Sequence, residues 1–69
     1  MSWRSAKGSE VLKALLRRGW EIKRQKGSHK TLAHPELGDY VFSFADHEEI
    51  GRTMLARIAK RTGLTPDDL

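Results

Sequence analysis

Apolar residues follow a helical period at the start of the chain, and glycine marks the end of that pattern. Residues 7–18 carry four apolar side chains that share one side of a helix: Val11, Leu12, Leu15 and Leu16. Gly19 comes next, and glycine readily takes the left-handed conformation that ends a helix. The pattern therefore predicts a helix over residues 7–18, with Ser5 and Ser9 both open as its N-cap.

After Gly19 apolar residues recur at every second position, which indicates strands. We predict strands over residues 20–25, 29–34 and 40–44, with a turn at residues 26–28 and a break between Pro35 and Asp39. In the first strand the alternation places Trp20 and Ile22 on one side and Glu21, Lys23 and Gln25 on the other.

A helical period returns near the end of the chain. Leu55, Ile58 and Ala59 form one stripe, which predicts a second helix over residues 52–62, joined in the core by Ile50. Gly63 ends this helix as Gly19 ends the first, and residues 65–68 read as a short capped turn.

These elements predict one α+β domain over residues 1–69 with the order α-β-β-β-α. Short connections favour a three-stranded antiparallel meander, and two amphipathic helices bury one face of such a sheet. This is the layout of a fold like that of double-stranded-RNA-binding domains (dsRBD-like), with one sheet face left open to solvent.

Composition narrows the class of protein. The chain has 69 residues and no cysteine, which excludes disulfides and thiolate metal sites, and its three histidines lack a tight ligand spacing. No apolar run is long enough for a membrane span, and the first residues do not resemble a signal peptide. We expect a soluble cytoplasmic protein with no metal or cofactor, no membrane contact and a monomeric free state.

The charge is unevenly distributed. The net charge is +4, yet residues 1–30 carry nine basic and two acidic side chains, whereas residues 31–69 carry four basic and seven acidic ones. A basic half beside an acidic half favours a polyanionic ligand at one pole, and a solubilising surface is the alternative.

The turn at residues 26–28 introduces the candidate chemistry. Leu32 should face the core, so His29, three residues away on the same strand, should face solvent. Gly27 and Ser28 offer backbone N–H groups to an anion, and nearby basic residues add charge that attracts phosphate. The basic residues are Arg24, Lys26 and Lys30.

Histidine exchanges protons near neutral pH, so His29 has the chemistry of a general acid/base in RNA cleavage. An ordinary solvated hairpin with a surface histidine is the alternative that the residues alone leave open. His34 shares the side of Leu32 and is predicted to be structural, and the acidic surroundings of His47 favour no chemical role. Arg17 and Arg18 fit the end of the first helix, and Asp67 and Asp68 fit a solvated tail.

Three stretches resemble the HicA family of toxin ribonucleases. They are Gly19-Trp20 after the first helix, the run from Arg24 to His29, and the closing "IAKRTGL" of residues 58–64. The resemblance covers about residues 9–64 and implies an mRNA interferase with a dsRBD-like fold. The histidine of the family's Gly-Ser-His motif corresponds to His29.

The resemblance further implies a toxin that cleaves mRNA and is neutralised by a HicB-type antitoxin protein. It implies RNA contact for five residues: Arg24, Lys26, Gly27, Ser28 and Lys30. Two other functions stay open. One is a non-catalytic RNA-binding module, and the other is a protein-interaction domain whose basic face docks an acidic partner.

Overall fold

The computed structural model describes residues 2–69 and confirms the predicted α+β class. The central elements follow the expected order, and two strands of two residues are added to them. In chain order the elements are β1 (Ala6–Lys7), α1 (Gly8–Arg17), β2 (Glu21–Lys26), β3 (His29–His34), β4 (Gly38–Phe42), β5 (Glu49–Ile50), α2 (Arg52–Thr62) and a final 3-10 turn (Pro66–Asp68). Neither helix in residues 2–69 is long and apolar enough to cross a membrane.

Helix α1 begins one residue later than predicted, and its buried stripe is rotated. Its N-cap is Lys7, whose backbone N–H donates to the Glu10 carboxylate at 2.8 Å, so neither serine caps the helix. The buried positions are Gly8, Val11, Ala14 and Leu15, which follow the i, i+3, i+4 spacing of a single helix face. Leu16 falls beside this face and is 39% exposed, so the prediction that it shares one side with Val11 and Leu15 is wrong.

The main sheet is the predicted antiparallel meander, with the order β2-β3-β4. Leu32 on β3 and Phe42 on β4 are buried together with Leu15 of α1 and Leu55 of α2, so both helices cover the same face of the sheet. We call this covered side the inner face. The opposite, outer face carries His29 and Thr31 of β3 and is free of helices.

A β-bulge interrupts the alternation of β2. Ile22 pairs with Leu32, but the next paired residue is Arg24, opposite Thr31, so Lys23 is an extra residue in the strand. Because directly paired residues share a face, Arg24 lies on the outer face and Gln25, opposite Lys30, on the inner face. The unbroken alternation predicted for this strand is therefore wrong beyond Ile22.

The small sheet of β1 and β5 was not predicted from the sequence. Ala6 pairs with Ile50 and Lys7 with Glu49, which brings the segment before α2 against the start of α1. The backbone N–H groups of Gly8 and Ser9 then donate to the carbonyls of Glu48 and Asp46 at 2.9 and 3.0 Å. These carbonyls satisfy donors that the first turn of a helix leaves without partners.

Helix α2 is joined to the sheet through hydrogen bonds as well as apolar packing. The Trp20 indole N–H donates to the carbonyl of Thr62 at 3.2 Å, and both residues are buried. Arg61 donates to the carbonyls of Leu37 and Asp39, which fixes the turn between β3 and β4. Burial raises the pKa of the nearby Tyr40 phenol, and the charge of Arg61 opposes part of that rise.

Candidate nucleic-acid interface and active site

His29 opens strand β3 and lies exposed on the outer face, as predicted from strand parity. Its Nδ1 atom is 2.9 Å from the hydroxyl oxygen of Ser43, which follows the end of β4. The contact results from the register of the antiparallel strands. Lys30 pairs with Phe42, so His29, which precedes Lys30, lies beside Ser43, which follows Phe42. With Nδ1 engaged by Ser43, Nε2 is the ring nitrogen left available to a ligand.

The turn before His29 is a two-residue hairpin connection. Lys26 pairs with His29 across it, and Gly27 occupies the first turn position with φ +59°. Glycine at that position suits a hairpin turn because a side chain there would be strained. No other atom lies within 4 Å of the point where a Gly27 Cβ would stand, so the tip is open to a ligand.

The bulge brings basic side chains to the same face as the histidine. Arg24 is opposite Thr31 and Lys26 is opposite His29, so both cations lie on the outer face near the imidazole. A shallow depression at this end of the edge strand β2 is lined by Arg24, Gln25, Lys26, His29 and Thr31. This depression combines a titratable group with two cations, a combination that is compatible with a phosphate-bearing ligand.

Lys30 is not part of this cluster. It pairs with Phe42 and Gln25 on the inner face and is only 8% exposed. Its neighbour in sequence, His29, points to the opposite face. The expectation that Lys30 would surround the turn together with Arg24 and Lys26 does not agree with this placement.

Lys23 is on the outer face but already has a partner. Its ammonium nitrogen is 3.0 Å from a carboxylate oxygen of Asp39, and both side chains are about half exposed. Asp39 pairs with Ala33, which in turn pairs with Glu21, so the two acids share a row at the base of the sheet. The outer face is therefore polarised, with acids at the base and, at the hairpin tip, two cations that have no ion-pair partner among residues 2–69.

His34 has the structural role predicted from its position. Its Nδ1 accepts the backbone N–H groups of Glu36 at 3.1 Å and Leu37 at 3.3 Å. Nε2 is then the protonated nitrogen and donates to the carbonyl of Arg18 at 3.3 Å. The ring also packs against Trp20 with 5.1 Å between centroids, so it joins the end of α1 to the turn after β3.

The acidic segment around His47 supports helix α1. The Glu48 carboxylate accepts the backbone N–H of Ala45 at 3.1 Å, and the backbone N–H of Glu48 donates to the carbonyl of Ala45 at the same distance. This closed turn supplies the carbonyls that cap α1, and His47 lies exposed at its surface. His47 therefore lies in the turn that caps α1 and not at the hairpin tip.

Residues 65–68 form the predicted capped turn, in which Asp68 has hydrogen-bond partners, so the expectation of a solvated tail is wrong for this residue. Desolvation favours its neutral form. Hydrogen bonds from the backbone N–H and hydroxyl of Thr65, together with the Arg18 guanidinium at 3.1 Å, outweigh desolvation and hold the pKa of the Asp68 carboxyl below its usual value. Arg17 donates to the Asp68 carbonyl at 3.1 Å. Both arginines therefore bind the C-terminal turn and do not contribute to the hairpin tip.

Ser43 is the residue of the site that the sequence did not single out. The alternation of residues 40–44 places it opposite Phe42, on the same face as His29. Only the pairing of β3 with β4 shows that the two side chains are adjacent. No group of three or more His, Asp or Glu side chains in residues 2–69 is arranged to hold a metal ion.

One of three comparisons with known proteins identifies a family for this chain. The family model described as the HicA toxin of bacterial toxin-antitoxin systems matches residues 8–64, which include both main helices, the whole three-stranded sheet and the hairpin tip. The comparisons with curated proteins and with solved structures give no match. The match covers most of the 69 residues, and so this chain belongs to the HicA family of toxins.

Proposed function

We propose that this toxin is an endoribonuclease that cleaves mRNA and so inhibits translation, with His29 as its general acid/base. The observation that carries the proposal is the exposed imidazole of His29, with Nδ1 engaged and Nε2 available, beside Arg24 and Lys26 on an uncovered sheet face. A reactive nitrogen and positive charge at one open surface suit a polyanionic substrate.

The proposed reaction is internal transesterification of RNA. Nε2 of His29 removes the proton from a 2′-hydroxyl, and the 2′-oxygen forms a bond to the adjacent phosphorus. The bond from phosphorus to the 5′-oxygen breaks, and that oxygen takes a proton from water or from the ammonium group of Lys26. The products are a 2′,3′-cyclic phosphate and a 5′-hydroxyl end, and the chemistry uses no metal ion.

Positive charge supports both binding and the reaction. Arg24 and Lys26 hold the RNA backbone and stabilise the negative charge that develops on the phosphate oxygens. Gly27 and Ser28 present the turn backbone to the phosphate, helped by the open space around Gly27. Lys30 is excluded from the proposed RNA surface because it is largely buried on the inner face.

A toxin of this family has an antitoxin partner, and we assign that role to a HicB-type protein encoded beside it. The cationic tip is a suitable target, because covering it would block His29 and the RNA path together. The free toxin is proposed to act in the cytoplasm, where mRNA is translated. It is proposed to act as a monomer, because the site residues come from the β2–β3 hairpin and from Ser43 directly after β4 of the same chain.

Replacement of His29 tests the proposal, and His47 provides the matched control. Both histidines are exposed, but only His29 lies in the cationic depression. His29→Ala should abolish growth arrest and RNA cleavage, with a rate loss of at least about 100-fold, whereas His47→Ala should remain active. Cleavage by the unmodified protein should persist in EDTA, and sequencing of fragment ends should show 5′-hydroxyl termini.

The non-catalytic RNA-binding module predicts a different outcome. If the unmodified protein bound RNA without producing fragments, and the His29→Ala variant bound it with the same affinity, the non-catalytic alternative would be favoured over an enzyme. Cleavage by the His29→Ala protein at the unmodified rate would refute the role of His29.

A further inference from the structure

The hydroxyl oxygen of Ser43 lies 2.9 Å from Nδ1 of His29, within hydrogen-bond distance. We infer that Ser43 is a positioning residue whose Oγ accepts the Nδ1–H of His29 and so presents an unprotonated Nε2 to the RNA. The inference rests on the proposed function, because it assigns the tautomer with which His29 would act as a base. It adds Ser43, which directly follows β4, to a site otherwise confined to the β2–β3 hairpin.

The fold fixes the relative positions of the two side chains. Ser43 follows Phe42, which is 1% exposed and paired with Lys30, so the backbone next to Ser43 is anchored in the core. His29 precedes Lys30 on the facing strand, which leaves the 2.9 Å contact on the outer face. An exposed histidine without such a contact would sample several side-chain rotamers, and the hydroxyl restricts that freedom.

The tautomer follows from the requirements of a base. A neutral imidazole carries one N–H and one lone pair, so a basic Nε2 requires the proton on Nδ1. A serine oxygen accepts that proton's hydrogen bond, and it continues to accept after His29 becomes an imidazolium. The contact is therefore retained on both sides of the proton transfer.

The neutral charge of serine matters at this surface. A carboxylate would orient the imidazole more strongly, but it would place a negative charge beside Arg24 and Lys26 and repel the phosphate. The hydroxyl orients the ring without reducing the positive charge of the tip. This arrangement suits an enzyme that must hold a polyanion close to its base.

The first measurement reads the tautomer directly and needs no substrate. Nitrogen-15 NMR of His29 at a pH where the ring is neutral should show a protonated Nδ1 and an unprotonated Nε2. In Ser43→Ala the Nε2–H form should increase, because Nδ1 then faces only water. Ser43→Thr, which keeps the hydroxyl, should restore the original spectrum, and Thr53→Ala, which removes an exposed hydroxyl on helix α2, is the control. A predominantly Nε2–H ring in the unmodified protein would overturn the inference.

The second measurement is the cleavage rate of the same variants. Ser43→Ala should lower kcat by about 10- to 100-fold with little change in KM, which is less than the loss expected for removing the base itself. Ser43→Thr should recover most of the rate, and Thr53→Ala, on helix α2 and outside the depression, should keep it. An unchanged rate in Ser43→Ala, with His29→Ala inactive, would overturn the inference and leave the proposed function intact. Undiminished cleavage by His29→Ala would overturn both.

Discussion

A methyl group added at Gly8 should lower the free energy of unfolding substantially. A Cβ at Gly8 would overlap the carbonyl oxygen of Ala45, which is backbone and has no flexible end to move away. The φ angle of Gly8 is outside the left-handed region, so the conflict is steric alone. To relieve it, the turn of residues 45–48 must move away from the start of α1.

The cost can be estimated from the contacts that would be lost. Overpacking of this kind costs about 1–3 kcal/mol. The hydrogen bonds from Gly8 to Glu48 and from Ser9 to Asp46 add about 1 kcal/mol each if they break. The higher helix propensity of alanine offsets about 1 kcal/mol of this loss in stability. The net loss for Gly8→Ala is about 2–4 kcal/mol, a large share of the roughly 3–10 kcal/mol expected for a domain of this size.

Urea denaturation followed by tryptophan fluorescence gives the measurement, since the Trp20 side chain is buried in the folded state. The control is Gly51→Ala, because Gly51 caps α2 and no atom lies within 4 Å of its added Cβ. That variant should stay within about 1 kcal/mol of the unmodified protein. Equal urea midpoints for the two variants would refute the close approach of the turn to α1.

Two further predictions concern charge. Arg24→Gln should weaken RNA binding and reduce its salt dependence by about 0.7 in the slope of log K against log salt, while Lys23→Gln should have a smaller effect because Lys23 is paired with Asp39. Fluorescence anisotropy over a range of salt concentrations, in a His29→Ala background that preserves the RNA, checks this, and equal effects would contradict it. The lowered pKa of Asp68 means that its ionised form stabilises the fold above the unfolded-state pKa of about 3.9, and that this contribution is lost as the pH falls through the lower folded-state pKa. The stability advantage over Asp68→Asn should therefore shrink between neutral pH and pH 3 in urea titrations, and an advantage independent of pH would count against the pairing with Arg18 and Thr65.

Local periodicity was sufficient for the main elements of the fold. The second helix was predicted with its observed bounds, and the strand of residues 29–34 likewise matches β3. Strong periodic patterns and glycine stops carry this information within a few residues of sequence. Strands β1 and β5 could not be found in this way, because two residues have no measurable period and their pairing joins distant parts of the chain.

The features of the site that depend on the local sequence pattern were predictable. The features that depend on the pairing register of the strands were not. The exposure of His29 follows from its distance to Leu32 along one strand. The bulge at Lys23 gives no signal in the alternation, so the outward position of Arg24 was not predicted. The neighbour Ser43 requires the pairing of β3 with β4, which the intervening turn sets.

Because of the bulge at Lys23, the directions of the side chains at the hairpin tip do not depend on the number of residues in β2. Residues 21 and 22 keep the ordinary alternation below the bulge, and Arg24, Gln25 and Lys26 keep it above, with Lys23 accommodated between them. A strand that lacked this residue would be regular and would still direct both cations of the tip toward His29. The edge strand can therefore gain or lose a residue at this point during evolution without turning the substrate-facing residues inward.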